Sequence, residues 1–285
     1  MREDYVHCLS PKGFHRMHYT EWGDPGMQRI VICAHGLTRS GRDFDELARA
    51  LLPDFRVVCP DFAGRGKSDW LPSKEDYAYP QYCADAAALI ARVTAGPRPG
   101  HVYWVGTSMG GIIGMLLASR LNTPIEKLVL NDVGTVIPKA FLERIAAYVG
   151  RDPRFKTFEE LEAYLRLVSA SFGPLTDAQW RHLSETGAKQ YGDGSWGMRY
   201  DPAVAIPFQK GALESVDLSP YWNSISCQTL LLRGAQSDLL LKETAIAMTQ
   251  CGPKPRLVEF EGVGHAPMLM AQDQIEVVRG FLVAN

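Results

Sequence analysis

Ser108 is the residue of this sequence best placed to act as a nucleophile. It lies between Gly106 and Gly110, after an apolar run at 101–105 and before a stretch of apolar and small residues at 109–121. An abrupt turn from strand to helix forces the serine into a strained conformation, and the two glycines give the clearance that larger side chains would remove. The serine Oγ is then exposed above the start of the helix. It can attack an acyl carbon once a base has taken its proton.

His265 is the predicted base. It follows the last predicted strand, in Gly262-Val263-Gly264-His265, and a loop there reaches back over the edge of the sheet. His35 precedes the loop that we expect to bind the oxyanion, where a hydrogen-bonding role in the scaffold is favoured over that of a base. The other histidines lie in the N-terminal segment, at the start of a strand or in the middle of the chain: His7, His15, His18, His101 and His182.

A carboxylate is needed to fix the tautomer of the imidazole and to stabilise its charged form. Asp238 is the predicted carboxylate, because it follows the strand that ends at Arg233 and lies in a loop at the same edge of the sheet. Asp132 is the rival, since it comes soon after the predicted strand at 127–130 and also reaches that edge. The sequence thus predicts a triad of Ser108, Asp238 and His265, with Asp132 as the alternative acid.

Acyl transfer also requires donors for the negative charge that develops on the substrate oxygen. The amide of Met109, the residue after the nucleophile, is one predicted donor, and it lies at a helix N-terminus. The second is predicted to be the amide of Leu37, in the loop His35-Gly36-Leu37-Thr38 that follows the strand at 29–34. The Thr38 hydroxyl either adds a contact to the substrate or faces solvent.

Short apolar runs alternate with helical stretches on both sides of these residues. Predicted strands at 29–34, 56–60, 101–105 and 127–130 are separated by helical patterns, and the alternation resumes with strands at 229–233 and 256–260 and a final helix at 274–282. This alternation is typical of a mostly parallel central sheet with helices on both faces. Segments 5–8 and 15–22 add two expected antiparallel edge strands. The parallel strands bring their carboxyl ends, and therefore the candidate residues, to one edge.

The middle of the chain has no convincing strand pattern. Phe141, Ile145, Tyr148 and Val149 trace one helical stripe, and capping boxes begin further helices at Thr157 and Thr176. We therefore expect a core of residues 1–133 and 218–285, with 134–217 inserted as a helical lid that excludes water and shapes the pocket. A subdomain with a packing role alone is the alternative.

Composition excludes several other classes of protein. The 285 residues carry a formal net charge of −2, which gives no electrostatic reason to expect nucleic acid or an anionic membrane as partner. The charged N-terminus has no apolar stretch after it, and no apolar run approaches the length of a membrane span. Six cysteines form no Cys-x-x-Cys pair or zinc-finger spacing, so a reducing, cytoplasmic location is expected and no metal is implied.

A second glycine motif matches the letters of a dinucleotide-binding motif but not its expected structural context. Residues 192–197 read Gly-Asp-Gly-Ser-Trp-Gly, which matches the dinucleotide fingerprint Gly-x-Gly-x-x-Gly. The fingerprint requires a strand before it and a helix after it, and neither is predicted here. We interpret the stretch as a flexible loop of the lid, and no organic cofactor is expected.

Together these motifs resemble those of the α/β-hydrolase superfamily along nearly the whole chain. Besides the serine turn and Gly264-His265, the chain carries the His-Gly of the family's oxyanion loop at His35-Gly36. It also carries the family's Asp-x-x-Gly-x-Gly-x-Ser turn at 61–68. The resemblance implies the α/β-hydrolase fold, a serine triad in the order Ser108, Asp238, His265, and the Leu37 and Met109 oxyanion donors. The fold hosts many reactions, so it says little about the substrate.

The predicted reaction is hydrolysis of a carboxylic ester with a small to medium acyl group, through an acyl-enzyme. Relatives that dehalogenate or open epoxides use an aspartate nucleophile, and Ser108 argues against both. Two alternatives stay open. One is hydrolytic C–C cleavage of a diketone-type ring-fission product, although the loop at 35–40 lacks the extra Gly and Pro associated with that group. The other is a ligand sensor without turnover.

The residues that line the substrate pocket are the hardest to predict from the sequence. Thr38 and Met268 adjoin catalytic positions, and the lid aromatics Phe172, Trp196 and Phe208 are candidates to line an apolar acyl site. Tyr191 is a further candidate. No positively charged residue can be placed in the pocket, so it stays open whether the substrate carries a carboxylate. The expected partner is a small ester or related acyl molecule, and the sequence does not indicate an oligomeric state.

Overall fold

The computed structural model of the protein describes residues 1–96, 100–209 and 212–284. Lys210 and Gly211, within the predicted insertion, and Asn285, the last residue of the predicted core, lie outside the described residues. The strands are β1 (Arg2–Ser10), β2 (Gly13–Trp22), β3 (Arg29–Ala34), β4 (Arg56–Pro60), β5 (His101–Thr107), β6 (Ile125–Asn131), β7 (Val136–Ile137), β8 (Ala188–Gln190), β9 (Trp196–Met198), β10 (Val216–Asp217), β11 (Gln228–Gly234) and β12 (Arg256–Phe260).

Helices connect these strands. They are α1 (Asp45–Ala50), α2 (Tyr79–Thr94), α3 (Met109–Ala118), α4 (Lys139–Ala146), α5 (Phe158–Val168), α6 (Asp177–Gly187), α7 (Ile206–Gln209), α8 (Ser219–Trp222), α9 (Lys242–Met248) and α10 (Gln272–Val283). Short 3₁₀ turns lie at Gly41–Phe44, Lys74–Asp76, Ala170–Phe172 and Pro202–Ala205. Within the described residues, none of the helices combines the length and the apolar character needed to cross a membrane.

The central sheet has eight strands in the order β1-β2-β4-β3-β5-β6-β11-β12. β1 and β2 pair antiparallel, and β2 pairs antiparallel with β4. The six strands β4, β3, β5, β6, β11 and β12 are parallel to one another. The predicted α/β fold with a mostly parallel sheet is confirmed, including the antiparallel edge at the N-terminus. The parallel strands therefore end at one common edge.

Side chains of β5 alternate between the two faces of the sheet. Val102 and Trp104 belong to the core on one face, and Tyr103 and Val105 belong to the core on the other. This is the period of two that a strand imposes, and a strand covered on both faces reads as a continuous apolar run. Both cores are formed by buried apolar side chains, which explains why the run at 101–105 predicted a strand.

The segment between β6 and β11, where a helical insertion is expected, contains helices α4 to α8 and also short strands that the sequence did not predict. β7 pairs with β10, and β8 pairs with β9, both antiparallel. Each ladder is only two or three residues long, which is too short to produce a visible alternation. The two predicted capping boxes are present, with Thr157 and Glu160 at the start of α5 and Thr176 and Gln179 at the start of α6.

Candidate active site

Ser108 occupies a strained turn between β5 and α3. Its φ is 52° and its ψ is −115°, a backbone conformation that residues with a Cβ rarely adopt. A Cβ at Gly106 would lie 2.3 Å from the carbonyl oxygen of Gly110, and a Cβ at Gly110 would lie 2.1 Å from that of Ala34. A residue with a Cβ cannot be accommodated at either position, because the Cβ would overlap a backbone carbonyl. Both positions therefore require glycine. The indole of Trp104 braces the turn by donating to the Gly110 carbonyl over 2.9 Å.

His265 lies beside Ser108. Its Nε2 is 3.0 Å from Oγ of Ser108, and its Nδ1 is 2.7 Å from Oδ2 of Asp132. A carboxylate accepts hydrogen bonds but donates none, so Nδ1 carries the proton and Nε2 presents its lone pair to the serine hydroxyl. The ring of Phe141, on α4, stands edge-on to the imidazole with 5.1 Å between ring centroids. Ser108 and His265 thus have the geometry of a nucleophile and its general base.

The carboxylate next to His265 belongs to Asp132 rather than to Asp238, which corrects the sequence prediction. Asp132 follows β6, is fully buried, and accepts hydrogen bonds from the amide of Gly234 and from the Ser237 hydroxyl. Asp238 is 52% exposed and pairs with Arg144, with 2.7 Å between Oδ2 and Nε.

The turn after β11 explains this difference. The amide of Ser237 donates to the carbonyl of Gly234, which closes the turn, and the Ser237 side chain then faces Asp132 over 2.6 Å. The next residue, Asp238, is directed to solvent. β6 also lies directly beside β5 in the sheet, whereas β11 is one strand further away. Asp132 is therefore the acid one strand away from the serine.

The predicted oxyanion residues flank Ser108. Met109 is the first residue of α3, and Leu37 lines the same cavity as Ser108. His35 is fully buried, with Nδ1–H donating to the Gly36 carbonyl and Nε2 accepting from the amide of Phe62. Burial lowers the pKa of His35 to about 4, so this imidazole is neutral and serves as a brace of the loop.

The turn at 61–68 fixes the other side of the Leu37 loop. Asp61 is buried and accepts from His18, from the amide of Gly41 and from the amide of Lys67. Although burial alone would raise it, the hydrogen bonds from His18 and from the amide of Lys67 hold the pKa of Asp61 below its usual range. A Cβ at Gly66 would lie 2.1 Å from the Asp61 carboxylate, which accounts for the glycine in the motif.

Arg65 is a component of the site that sequence reasoning missed. It is fully buried, and its guanidinium donates to the Leu37 carbonyl over 2.8 Å, to Sδ of Met109 over 3.4 Å and to the Tyr82 hydroxyl over 2.9 Å. No carboxylate among the described residues forms a salt bridge with it. Arg65 thus touches both residues whose amides are the predicted oxyanion donors. Its position inside the Gly-x-Gly of the turn was the available signal.

A cavity of about 120 Å³ opens over Ser108 and His265. Thr38, Phe172 and Met268, three of the predicted substrate-binding residues, line it. Trp196 and Phe208, the other two predicted substrate-binding residues, are not among the described residues that line this cavity. Trp196 packs edge-on against Phe158 at 5.3 Å in the β8–β9 region, and Phe208 lines a second cavity.

Two arginines that the sequence could not place also line the cavity over Ser108. Arg39 forms a two-pronged salt bridge with Asp43, through Nε at 2.8 Å and Nη2 at 2.6 Å. Arg144 lies on α4 and is 45% exposed. Asp43 lines the cavity as well, so the cavity contains charged side chains of both signs, which the net charge of the chain did not indicate.

One group of potential metal ligands occurs in the described part of the chain. Cys8, His15 and Asp85 are buried, and their donor atoms lie within 4.8 Å of one another. Asp85 accepts from His15 over 3.0 Å and from Gln81 over 2.6 Å, so hydrogen bonds already account for its burial. The group lies between β1, β2 and α2, and none of its members lines the cavity over Ser108.

The fold, with a serine, an imidazole and a carboxylate at the carboxyl edge of a parallel sheet, defines the class of α/β hydrolases. Residues 31–278 match the model of the alpha/beta hydrolase family. The chain therefore belongs to that family.

Similar proteins agree with this assignment. A 3-hydroxybutyrate-oligomer hydrolase of Cupriavidus necator is 49% identical, over 98% of this chain and 97% of that protein. A protein from Rickettsia typhi has a crystal structure that superposes with a TM-score of 0.91 at 31% identity, covering 99% of both chains. An alpha/beta hydrolase from Novosphingobium aromaticivorans gives 0.85 at 35% identity, covering 99% of this chain and 97% of that one. The prediction of an enzyme, a hydrolase of the esterase type, is confirmed at the level of class.

Proposed function

We propose that this protein hydrolyses carboxylic esters by acyl transfer to Ser108, with His265 as base and Asp132 as its partner. The observation that carries the proposal is the continuous contact from Asp132 through His265 to Ser108, with distances of 2.7 and 3.0 Å. A serine hydroxyl is a weak nucleophile, and an imidazole held in this tautomer can accept its proton as the oxygen attacks.

The reaction proceeds in two halves. Oγ of Ser108 bonds to the ester carbon while His265 takes the hydroxyl proton, and the amides of Leu37 and Met109 stabilise the charge on the former carbonyl oxygen. The bond to the leaving alcohol then breaks, and His265 returns the proton to that alcohol. Water then attacks the acyl-enzyme while His265 takes its proton. His265 returns that proton to Oγ of Ser108 as the bond from Oγ to the acyl carbon breaks and the acid is released.

The substrate class is supported by the relative that hydrolyses 3-hydroxybutyrate oligomers. Such oligomers are linear esters of a small hydroxy acid, with apolar methyl groups and one carboxylate at the end. The cavity is lined by the apolar residues Phe141, Ile145 and Phe172 and also by arginines, which suits a molecule with both features. We infer that short oligoesters of this kind are the substrates.

We further infer that residues 134–217 act as a lid. Phe141, Ile145, Tyr148, Phe172 and Tyr200 of this segment line the cavity over Ser108. Side chains contributed from above the sheet edge exclude water from the acyl-enzyme until the alcohol has left.

The test is hydrolysis of p-nitrophenyl acetate and butyrate by the protein and by Ser108→Ala. We expect turnover by the protein and its loss in the variant, since a methyl group cannot form the acyl-enzyme. Equal activity of the two proteins would reject the proposal. Bleaching of a yellow dienol substrate without ester turnover would favour C–C cleavage, and binding without turnover would favour a sensor.

A further inference from the structure

Arg144 is the cation of the active-site cavity that is free to change its partner. Its salt bridge with Asp238 joins two side chains that are each about half exposed, at 45% and 52%. Salt bridges of this kind contribute little, because both partners are well solvated when apart. A carboxylate that enters the cavity can therefore replace Asp238 on Arg144.

Arg39 differs from Arg144 in this respect. Both members of its pair with Asp43 are more than nine-tenths buried, whereas both members of the Arg144–Asp238 pair are about half exposed. Each guanidinium engages its carboxylate through two nitrogens, so burial is what distinguishes the two pairs. Removing Asp43 from Arg39 would leave two buried charges uncompensated, which is costly. Arg39 is thus neutralised in place, and it leaves Arg144 as the site for an anion.

Arg144 lies on the side of the site occupied by the imidazole. Its Cζ is 4.9 Å from the centroid of the Phe141 ring, which in turn stands 5.1 Å from the ring of His265. The alcohol released from an ester receives its proton from this imidazole, so it must depart on the same side. The guanidinium therefore faces the leaving group rather than the acyl group.

The chemistry of an oligoester matches this arrangement at only one of its ends. When the last linkage at the carboxyl end is cut, the departing alcohol is a hydroxy acid whose own carboxylate carbon lies two bonds from its hydroxyl-bearing carbon. Such a unit carries a hydroxyl for His265 at one end and a carboxylate for Arg144 at the other. Cleavage at the hydroxyl end would instead put the long, carboxylate-bearing remainder of the chain on this side.

A second cavity offers room for the acyl side. It has a volume of about 760 Å³ and is mostly apolar, with Tyr79, Ile112, Leu116 and Phe208 among its walls. Leu37 lines both cavities, and Met109 lies in the wall of the second. The two oxyanion residues thus separate the space beside His265 from a larger space suited to an uncharged chain.

We propose that the protein binds oligoesters of hydroxy acids in one direction, with the terminal carboxylate on Arg144 and the acyl chain towards the second cavity. It then releases the carboxyl-terminal unit first. This inference rests on the proposed function. In each cycle one water is consumed, the ester C–O bond breaks, the departing hydroxyl takes its proton through His265, and the shortened chain leaves with a new carboxylate.

The test compares the 3-hydroxybutyrate trimer with its methyl ester, which differs only in the terminal charge. The ratio of kcat/KM for the acid to that for the methyl ester is measured in the protein and in Arg144→Gln. We expect the acid to be preferred and the ratio to fall about tenfold in the variant, through KM, as charge-assisted hydrogen bonds are lost. Asp238→Asn should raise the ratio, because it removes the competing carboxylate.

Lys139→Gln is the matched control. Lys139 is an exposed cation on the same helix and lies outside the lining of the cavity over Ser108. Its loss lowers the net charge equally and should leave the ratio as it is. An effect of Lys139→Gln as large as that of Arg144→Gln would overturn the proposal in favour of general electrostatic attraction.

The direction of cleavage is tested separately with a trimer deuterated in its carboxyl-terminal unit. Deuterated monomer should appear first. Release of the unlabelled hydroxyl-terminal monomer first, or a trimer left intact while p-nitrophenyl butyrate is hydrolysed, would overturn the direction of binding and leave the ester function standing. Failure on every ester would reject the proposed function itself.

Discussion

Asp132 is held in place by contacts on both of its carboxylate oxygens. Oδ1 accepts from the amide of Gly234, and Oδ2 accepts from Ser237 and from His265. Its φ of 56° is unusual for a residue with a side chain, and it directs the carboxylate under the imidazole. A buried carboxylate with this many donors is fixed in orientation, which is the property that a base needs from its partner.

Replacing this carboxylate with an amide is therefore expected to disable the base. Asp132→Asn should lower kcat for p-nitrophenyl butyrate by about a thousandfold or more, because the imidazole loses the acceptor that sets its tautomer. Asp238→Asn is the matched comparison and should retain most of the activity on this uncharged ester. A greater loss in Asp238→Asn than in Asp132→Asn would restore the assignment that the sequence favoured.

Arg65 is expected to position the two oxyanion donors and to add positive potential beneath them. Arg65→Lys keeps the charge but cannot form the fork that joins Leu37 and Met109, and we expect kcat to fall about tenfold to a hundredfold with a small change in KM. Lys67→Gln, in the same turn but paired with Glu3 at the surface, should have little effect. Loss of thermal stability without a change in kcat would indicate a purely structural role.

At the scale of elements, replacing a glycine with alanine is expected to have opposite effects on the free energy of unfolding in the serine turn and in the last helix. Gly110→Ala should lower the free energy of unfolding by several kcal/mol, since its Cβ would overlap the Ala34 carbonyl. Gly280 lies inside α10, and a Cβ there meets nothing within 4 Å. Gly280→Ala should therefore raise the free energy of unfolding by about 0.5–1 kcal/mol. Urea denaturation of both variants measures the difference, and a destabilised Gly280→Ala would contradict it.

The elements and the serine turn could be predicted from sequence because their signals are local. β-branched runs, the glycines around Ser108 and the capping boxes at Thr157 and Thr176 each act over a few residues. The choice between Asp132 and Asp238 was not local. Both acids follow strands that end at the same edge, and the difference depends on which way Ser237 turns the chain.

The pocket was the least predictable element for a related reason. Trp196 and Phe208 are aromatic residues of the same segment as Phe172, and the sequence does not distinguish the three. Their places depend on how short ladders such as β8–β9 fold back on the helices. Arg144 was overlooked because a basic residue on an amphipathic helix is ordinarily solvated, and only the packing of α4 over His265 brings it to the cavity.

At the scale of the whole molecule, one buried imidazole links stability to pH. His35 is neutral in the fold, with its pKa lowered to about 4, whereas an exposed histidine titrates near 6.5. Between these values the unfolded chain binds a proton that the folded chain refuses. The contribution of His35 to the free energy of unfolding is therefore constant above about pH 6.5. The free energy of unfolding decreases as the pH falls towards 4.

The expected loss from His35 across this window is about 3 kcal/mol. Urea denaturation from pH 7 to pH 4.5 should show a decrease in the free energy of unfolding that is smaller in His35→Gln. That variant is expected to be less stable at pH 7, but its dependence on pH should be flatter. Equal slopes in the two proteins would contradict the assignment of a neutral, buried His35.

The pairing of β7 with β10 has a consequence for how this molecule can change. Val136 and Ile137 leave the sheet directly after Asp132, and Val216 and Asp217 return to it just before α8, with the two ends joined as neighbours. Everything between them is thus a loop closed at its base. The strands that carry Ser108 and Asp132 belong to the eight-stranded sheet, outside this loop. Substrate choice can diverge in one part of the chain while the reaction is inherited unchanged in the other.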